Sequence, residues 1–353
     1  MILGFDVIEF YVGNALQAAH FYRTMFGFSL LGYSGPNCGD SSSVSYLLRQ
    51  GNILIALTDA LHPASPVAEH VKVHADGVKD IGLLVADADA IFQSAVSKGA
   101  VPVSKPVMTR TEGGRVIRGV IAGPGSIVHS LIQREDLNDR FPGYAAVTHR
   151  GAQSNGGLTA VDHMAICVEP GQMNRWADFY CEVLGCEISY VDDVETARSA
   201  MKSKAVRPLK SDVQFVLVEP AAGAGRSPLA EYLAFHQGPG VHHVAWRSDD
   251  IVHSVSRLKA NGVEFLPTPD SYYDSLPQRV GPVGRLEALK DLGILADRDD
   301  RGVLMQAFTR PLQGRPTFFA EVIERQGSTG FGAGNVRALL EAVEREQANR
   351  GGL

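Results

Sequence analysis

Hydrophobic and polar positions along the chain fall into short blocks, and the blocks occur twice. Phe5-Asp-Val-Ile-Glu-Phe-Tyr-Val12 is a β-rich run, and Val161-Asp-His-Met-Ala-Ile-Cys-Val168 has the same texture. Each leads into a helical pattern that stops at a glycine: Leu16-Gln-Ala-Ala-His-Phe-Tyr-Arg-Thr-Met-Phe-Gly27 and Met173-Asn-Arg-Trp-Ala-Asp-Phe-Tyr-Cys-Glu-Val-Leu-Gly185. Both place apolar residues on one helical face and a glycine at the C-cap. A second pair is Gly77-Val-Lys-Asp-Ile81 and Gly240-Val-His-His-Val244, offset by 163 residues. The same offset relates the helical patterns Asp87–Gly99 and Asp250–Gly262. A third pair is Ser130-Leu-Ile-Gln-Arg134 and Glu321-Val-Ile-Glu-Arg325. Three matches in one order indicate a duplicated module of roughly 150 residues.

Each half reads as strand, helix, strands, then strand, helix, strands, with glycine and proline between short strands. The expected fold is α+β: two tandem modules of paired βαβββ units with mixed sheets. Residues 1–137 form the first module, 138–157 a Gly- and Pro-containing linker, and 158–353 the second module. Val336–Gln347 reads as a charged amphipathic helix packed over the second module. The glycines at 327, 330, 332 and 334 give the chain before it room to hinge, so the helix is expected to act as a lid.

Composition narrows the classes of function. The 353 residues carry 33 Lys and Arg against 39 Asp and Glu, a formal charge of −6, with 45% hydrophobic residues. No basic stripe is present, which argues against nucleic acid and anionic membranes as partners. No window approaches the ~18 apolar residues of a membrane span. The N-terminus meets an acid at Asp6 and has no basic leader, unlike a signal peptide. Four cysteines without a CxxC pair are no disulfide framework. A soluble cytoplasmic protein that forms a homo-oligomer, dimer or tetramer, is expected.

Chemistry shows where the halves differ. Read against each other, Glu9, Asp80 and Ser130 stand where the second half has His163, His243 and Glu321. Two histidines and one carboxylate on strands match the facial arrangement of mononuclear non-haem iron. Such an Fe(II) keeps about three open positions, enough for a chelating 2-oxo acid and dioxygen. Glu321 lies in the apolar run Thr-Phe-Phe-Ala-Glu-Val-Ile, where an unpaired carboxylate is costly to bury, so a cation partner is expected. Zinc can use the same donors. The first half lacks the set and reads as metal-free and structural. His242 should point to the opposite face of its strand from His243 if the pairing is regular.

The chain resembles the family of 4-hydroxyphenylpyruvate dioxygenase and 4-hydroxymandelate synthase, within the vicinal-oxygen-chelate fold. The resemblance covers nearly the whole chain. It is most specific at Val161-Asp-His163, Gly240-Val-His-His243, Leu304-Met-Gln-Ala-Phe-Thr309, Phe319-Ala-Glu-Val-Ile-Glu-Arg325 and Gly330-Phe-Gly-Ala-Gly-Asn335. It implies Fe(II) on His163, His243 and Glu321, with O2 as co-substrate. The implied reaction is oxidative decarboxylation of a small-molecule 2-oxo acid and hydroxylation of that same substrate.

Around the expected pocket, Ser203, Gln306, Phe308 and Phe331 match the family. The run Val216-Leu-Val-Glu-Pro220 stands where dioxygenases carry Pro-Ile-Asn-Glu-Pro, so Val218 replaces an asparagine. Pro228 stands for a glutamine, His242 for the glutamine before the second iron histidine, and Val336 for a phenylalanine that is isoleucine in the synthases. An unpaired buried hydroxyl costs roughly 1–3 kcal/mol, so the loss of polar groups at 218 and 228 predicts a substrate without a para-hydroxyl. Val218 and Val336 favour side-chain hydroxylation of an aryl or other bulky 2-oxo acid in the synthase manner. The alternatives are a homogentisate-forming dioxygenase, a lyase, isomerase or extradiol dioxygenase of the same fold, and a small-molecule binding protein of that fold.

Overall fold

Two mixed β-sheets carry the chain, one from each half, in a computed structural model. It describes every residue except 112–113, 136–140, 148–155, 223–226, 282–284 and 351–353. Much of the expected linker, 138–157, lies outside the described residues. The first sheet comprises β1 (Ile2–Tyr11), β2 (Ser29–Ser34), β3 (Ser43–Gln50), β4 (Ile53–Ala60), β5 (Gly77–Val85), β6 (Pro102–Thr111), β7 (Gly114–Ala122), β8 (Val128–Glu135) and β9 (Ala145–Ala146). Its order is β6-β7-β8-β5-β1-β4-β3-β2-β9, so a piece of the expected linker is itself an edge strand. The second sheet comprises β10 (Leu158–Cys167), β11 (Cys186–Glu195), β12 (Ala200–Pro208), β13 (Phe215–Ala221), β14 (Gly240–Ser248), β15 (Leu295–Arg298), β16 (Val303–Phe308) and β17 (Phe319–Gln326). Its order, β11-β12-β13-β10-β14-β17-β16-β15, repeats the first with strands in equivalent places.

The helices repeat as well. In the first half they are α1 (Ala15–Phe26), α2 (Pro66–His74) and α3 (Ala88–Ser97), and in the second α4 (Met173–Leu184), α5 (Pro228–His236) and α6 (Ile251–Ala260). The predicted C-cap glycines close α1 and α4 in the left-handed conformation: Gly27 at φ 80° and Gly185 at φ 68°. Only the second half adds the short α7 (Asp270–Asp274), α8 (Leu276–Val280) and α9 (Leu286–Leu292), and the long terminal α10 (Ala333–Asn349). No helix of the described residues is long and apolar enough to cross a membrane.

One core runs through both halves. Trp246 is buried with its ring 5.0 Å from Phe26 and 5.6 Å from Phe28 of the other half. Phe5 meets Phe215 at 5.7 Å and Phe10 meets Phe318 at 5.3 Å. Each such aromatic buries roughly 150–250 Å², several kcal/mol of gross hydrophobic stabilisation. The two modules therefore share one continuous hydrophobic core.

Register revises one alignment. Val12 N–H donates to Thr58 O beside β4, and Val168 N–H donates to Val218 O beside β13, so Val12 and Val168 correspond. Counting back, the counterpart of His163 is Val7, and Glu9 corresponds to Ala165. The pairs Glu9↔Asp80 and Ala165↔His243 agree. Asp80 and Ser130 do stand opposite His243 and Glu321, since Gly82↔Ser130 matches Ala245↔Glu321. The ungapped match of Phe5–Val12 with Val161–Val168 gives the same answer, so Glu9 stands two positions too far along, and β1 and β10 carry their register shifts at equivalent places.

Candidate metal centre

Three adjacent strands, β10, β14 and β17, bring one donor each. Ala245 on the middle strand pairs with His163 on one side and with Glu321 on the other. Those three residues share a level and a face, and Ala245 adds only a methyl between the flanking side chains. His243, two residues along β14, returns to the same face by the strand's period of two. As a result His163 Nε2 and His243 Nε2 each lie 3.4 Å from Glu321 Oε2. One ligand atom from each residue lies within 4.8 Å of the others, the only such gathering of His, Cys, Asp and Glu among the described residues.

Neighbours aim each donor. His163 Nδ1 lies 2.9 Å from Asp162 Oδ1. Burial pushes the Asp162 carboxyl up, but hydrogen bonds from His163 and Arg325 outweigh it and hold it well below the usual range. An ionised Asp162 only accepts, so His163 keeps a proton on Nδ1 and its Nε2, the nitrogen that a metal would take after displacing the proton, faces inward to Glu321. Arg325 clamps Asp162 with two bonds, Nε to Oδ2 at 2.9 Å and Nη2 to Oδ1 at 2.8 Å, and Arg247 adds a third at 3.1 Å. Burial pulls His163 down as a base, yet Glu321 and Asp162 together raise it to about 9. For His243, burial and then the His242 and His163 rings hold the pKa well below the ordinary value. Glu321 Oε1 accepts from Gln306 Nε2 at 2.9 Å, which leaves Oε2 to face the histidines. Gln306 Oε1 in turn accepts from Asn335 Nδ2 at 2.9 Å, tying the centre to α10.

The donor set suits a metal ion. Two imidazole nitrogens and one carboxylate oxygen converge, each oriented by a second hydrogen-bonded group, and such N/O sets serve Fe(II) or Zn. Their open side faces an apolar cleft. Every pocket position expected from the sequence lines it: Ser203, Val216, Val218, Pro228, His242, Gln306, Phe308, Phe331 and Val336. Phe331 stands edge-on to His163 at 5.1 Å, and Phe319 stacks on His243 at 4.8 Å.

His242 does not follow the expected alternation. His243 pairs with Ala165 and Val241 with Ile166, so His242 is the extra residue of a bulge. That bulge turns both histidines to the cleft, with their Nδ1 atoms 3.4 Å apart. Burial lowers the His242 pKa to about 3, which keeps its imidazole neutral. Sequence reasoning also missed Tyr190 and Asp192, which line the cleft from β11. Their signal is the alternation in Tyr190-Val-Asp-Asp-Val194, whose even positions lie inward and whose odd positions are exposed.

Comparisons with known proteins fit this geometry. A family model described as Glyoxalase/Bleomycin resistance protein/Dioxygenase superfamily matches residues 4–128, and a second model of the same description matches 162–275. The 4-hydroxyphenylpyruvate dioxygenase of Yarrowia lipolytica is 36% identical over 99% of this chain and 93% of its own. That of Dictyostelium discoideum is 37% identical, covering 99% of this chain and all of its own. The chain belongs to the 4-hydroxyphenylpyruvate dioxygenase family. Members of this family are iron-dependent dioxygenases, and the chain is an oxidoreductase of that class. Among solved structures, a triple mutant of 4-hydroxymandelate synthase from Streptomyces coelicolor superposes with a TM-score of 0.88 at 33% identity, covering 98% of this chain and 99% of its own. The two tandem modules of the 4-hydroxyphenylpyruvate dioxygenase fold are thus present, with the His163, His243 and Glu321 trio in the second.

Proposed function

We propose that the protein is an Fe(II)-dependent dioxygenase that oxidatively decarboxylates an aryl or other bulky 2-oxo acid and hydroxylates the same molecule. His163, His243 and Glu321 would hold the iron, and the first module serves as scaffold. The observation that carries the reading is the convergence of three oriented donors on the floor of an apolar cleft. Bound Fe(II) supplies the electrons for O2 activation and a Lewis-acidic centre for the 2-oxo acid's carboxylate and ketone. The chain does the rest. Gln306 occupies one oxygen of Glu321 and so favours single-oxygen ligation, which leaves more of the centre open to substrate. His242 offers a neutral imidazole to the substrate carboxylate. Val216, Val218, Phe308 and Phe331 take the apolar body, and Val336, Leu339 and Leu340 of α10 cover the cleft against water.

Side-chain hydroxylation, giving a mandelate, is the favoured outcome because Val218 and Val336 shape the wall as in the synthases. Ring hydroxylation to homogentisate is the second reading, and the names of the curated relatives favour it. The test is anaerobic Fe(II) loading followed by O2 uptake and CO2 release with phenylpyruvate, 4-hydroxyphenylpyruvate, indole-3-pyruvate and branched aliphatic 2-oxo acids. Product identification separates mandelate from homogentisate. Protein that binds the acids but releases no CO2 would be a binder, not a dioxygenase.

A further inference from the structure

The first module has a cleft of its own, on the face of its sheet that corresponds to the metal cleft. Val7 and Asp80 line it at the positions of His163 and His243. Arg118 lines it at the position of Gln306, since Arg118↔Ile132 matches Gln306↔Ile323. Leu47, Ala56, Val116 and Ile132 give apolar walls around about 260 Å³, against roughly 10–15 Å³ for one water. Two charged groups reach this space with bonding capacity left. Glu9 Oε1 accepts from Thr58 Oγ1 at 2.7 Å, whereas among the described residues nothing donates to Oε2 and no cation pairs with the carboxylate. Thr58 Oγ1 lies 2.8 Å from Ser45 Oγ, and Ser45 Oγ 2.8 Å from Tyr144 Oη. With Thr58 donating to Glu9, Ser45 and Tyr144 donate the same way along the row, toward the carboxylate. Burial and then Asp80 push the Glu9 carboxyl up. Asp80 itself is matched, accepting from Ser130 N–H at 3.0 Å and from Arg118 Nη2 at 2.7 Å. Arg118 spends Nε on Ser130 and, with half its side chain exposed, keeps Nη1 for the cleft. Arg134 is paired with Asp6, and Lys79 turns its ammonium to the Ser126 carbonyl. Of the described charges that line the cleft, only Glu9 lacks a counterpart.

We propose that this cleft is a second small-molecule site, which takes an α-amino acid with an apolar side chain: the ammonium on Glu9, the carboxylate on Arg118 Nη1, and the side chain against Leu47 and Val116. An ammonium supplies the positive charge that the buried carboxylate lacks, as an ion would for Glu321. A carboxylate alone does not suit the cleft, because Asp80 already neutralises Arg118 and a second anion would stand beside Glu9. The two clefts therefore take opposite chemistries, a 2-oxo acid at the metal centre and an amine in the first module. The site needs no metal and goes beyond the dioxygenase reading, giving the first module a ligand besides its part as scaffold.

Full-length Fe(II)-loaded protein should be titrated anaerobically by calorimetry with L-leucine, L-phenylalanine, phenethylamine and 3-phenylpropionate, with and without saturating phenylpyruvate. The amino acids are expected to bind equally well in both cases, since the metal cleft is a separate space. Phenethylamine, which has no group for Arg118, should bind about 10- to 100-fold more weakly than L-phenylalanine. With phenylpyruvate present, 3-phenylpropionate should show no binding. Glu9→Gln keeps an acceptor for Thr58 and removes the charge, and should weaken both amino acids about 10- to 100-fold. Arg118→Lys keeps a cation for Asp80 and removes Nη1. It should weaken the amino acids while leaving phenethylamine within about threefold. Thermal unfolding of each variant reports whether it is folded, and the comparison among the four probes on the wild type decides the matter even where a variant is not. Amino acids that do not bind, that phenylpyruvate displaces, or that bind Glu9→Gln as tightly as the wild type would overturn the proposal and leave the dioxygenase reading standing.

Discussion

The two modules share a scaffold and differ at its centre. Asp6 is clamped by Arg134 in the first as Asp162 is by Arg325 in the second, at matching strand positions. Between these clamps the second module gathers two histidines and a glutamate. The first has Val7, Asp80 and Ser130 there, and its own cation: Arg118 donates Nη2 to Asp80 Oδ2 at 2.7 Å and Nε to Ser130 Oγ at 2.8 Å. By register Val120↔Ser130 matches Phe308↔Glu321, so Arg118 corresponds to Gln306. One position thus carries a guanidinium where the centre has no ligands, and an amide that steadies a ligand where it does. A buried carboxylate cluster on this sheet needs a positive charge, and a side chain can supply it as well as an ion. The clamps belong to the fold, whereas the donor trio in one module and Arg118 in the other are what distinguish the two.

The sharpest way to break the comparison is to remove donors in each half. His163→Ala, His243→Ala and Glu321→Ala should each abolish iron binding and turnover while circular dichroism shows an intact fold. Glu9→Ala and Asp80→Ala should retain most activity. An Asp80→Ala protein that lost its iron while Glu321→Ala kept it would reverse the assignment. The next effect concerns α10, which has no counterpart in the first module. Truncation before Val336 leaves Asn335 on Gln306 but strips Val336, Leu339, Leu340 and Val343 from the cleft. Oxygen consumption should then exceed product several-fold, measured by electrode and chromatography together. Unchanged coupling would leave the helix only a packing role.

The clamps test the distinction more finely. Arg134→Met and Arg325→Met each strip a buried aspartate of its bidentate partner, and each should cost on the order of 3 kcal/mol in denaturant unfolding. Arg325→Met should also weaken iron binding roughly 10- to 100-fold, because Asp162 orients His163. Iron titration should find Arg134→Met unaffected. Equal iron affinity in both variants would mean that Asp162 holds its place through Arg247 alone.

Much of this was legible in the sequence because repetition exposes differences. The duplicated texture gave the paired βαβββ units, and the charge of Glu321 within an apolar run marked it as needing a cation. Register was harder. A bulge turned His242 toward the cleft, and no local propensity announces a single extra residue in a strand; the pairing of Glu9 with His163 is a two-residue slip in aligning the repeats, which strand register removes. Tyr190 and Asp192 lie on a strand at the sheet's edge, with exposed neighbours on the other face, and read like ordinary solvent-facing alternation. That they face a cleft depends on how the sheet curves over Phe331 and α10. The equivalence of Arg118 and Gln306 became visible only once strand pairing fixed which residues stand opposite.

The smallest effect lies one residue from Ser130, where the modules diverge again. His129 is fully buried and corresponds to Ala320, since Ile81↔His129 matches Val244↔Ala320. Its Nε2 lies 3.0 Å from the Tyr180 hydroxyl of the second module, and its ring meets Phe215 at 5.6 Å. Burial, only partly opposed by the Ile81 backbone, lowers its pKa from the ordinary 6.5 to about 4. The unfolded chain therefore binds this proton more readily than the folded one. Stability should be full above about pH 6.5 and fall as pH drops toward about 4, by roughly 1–1.5 kcal/mol between pH 7.5 and 5.5. His129→Gln keeps a hydrogen-bonding partner for Tyr180 and removes the titration. Urea unfolding at both pH values should show the variant losing about 1 kcal/mol less than the wild type on acidification. His70 and His236, lowered to about 3 and about 4 by burial, add the same trend to both proteins, so only the difference between them reports on His129. Identical losses would show that His129 reaches solvent before the modules unfold, and that the contact between them opens locally.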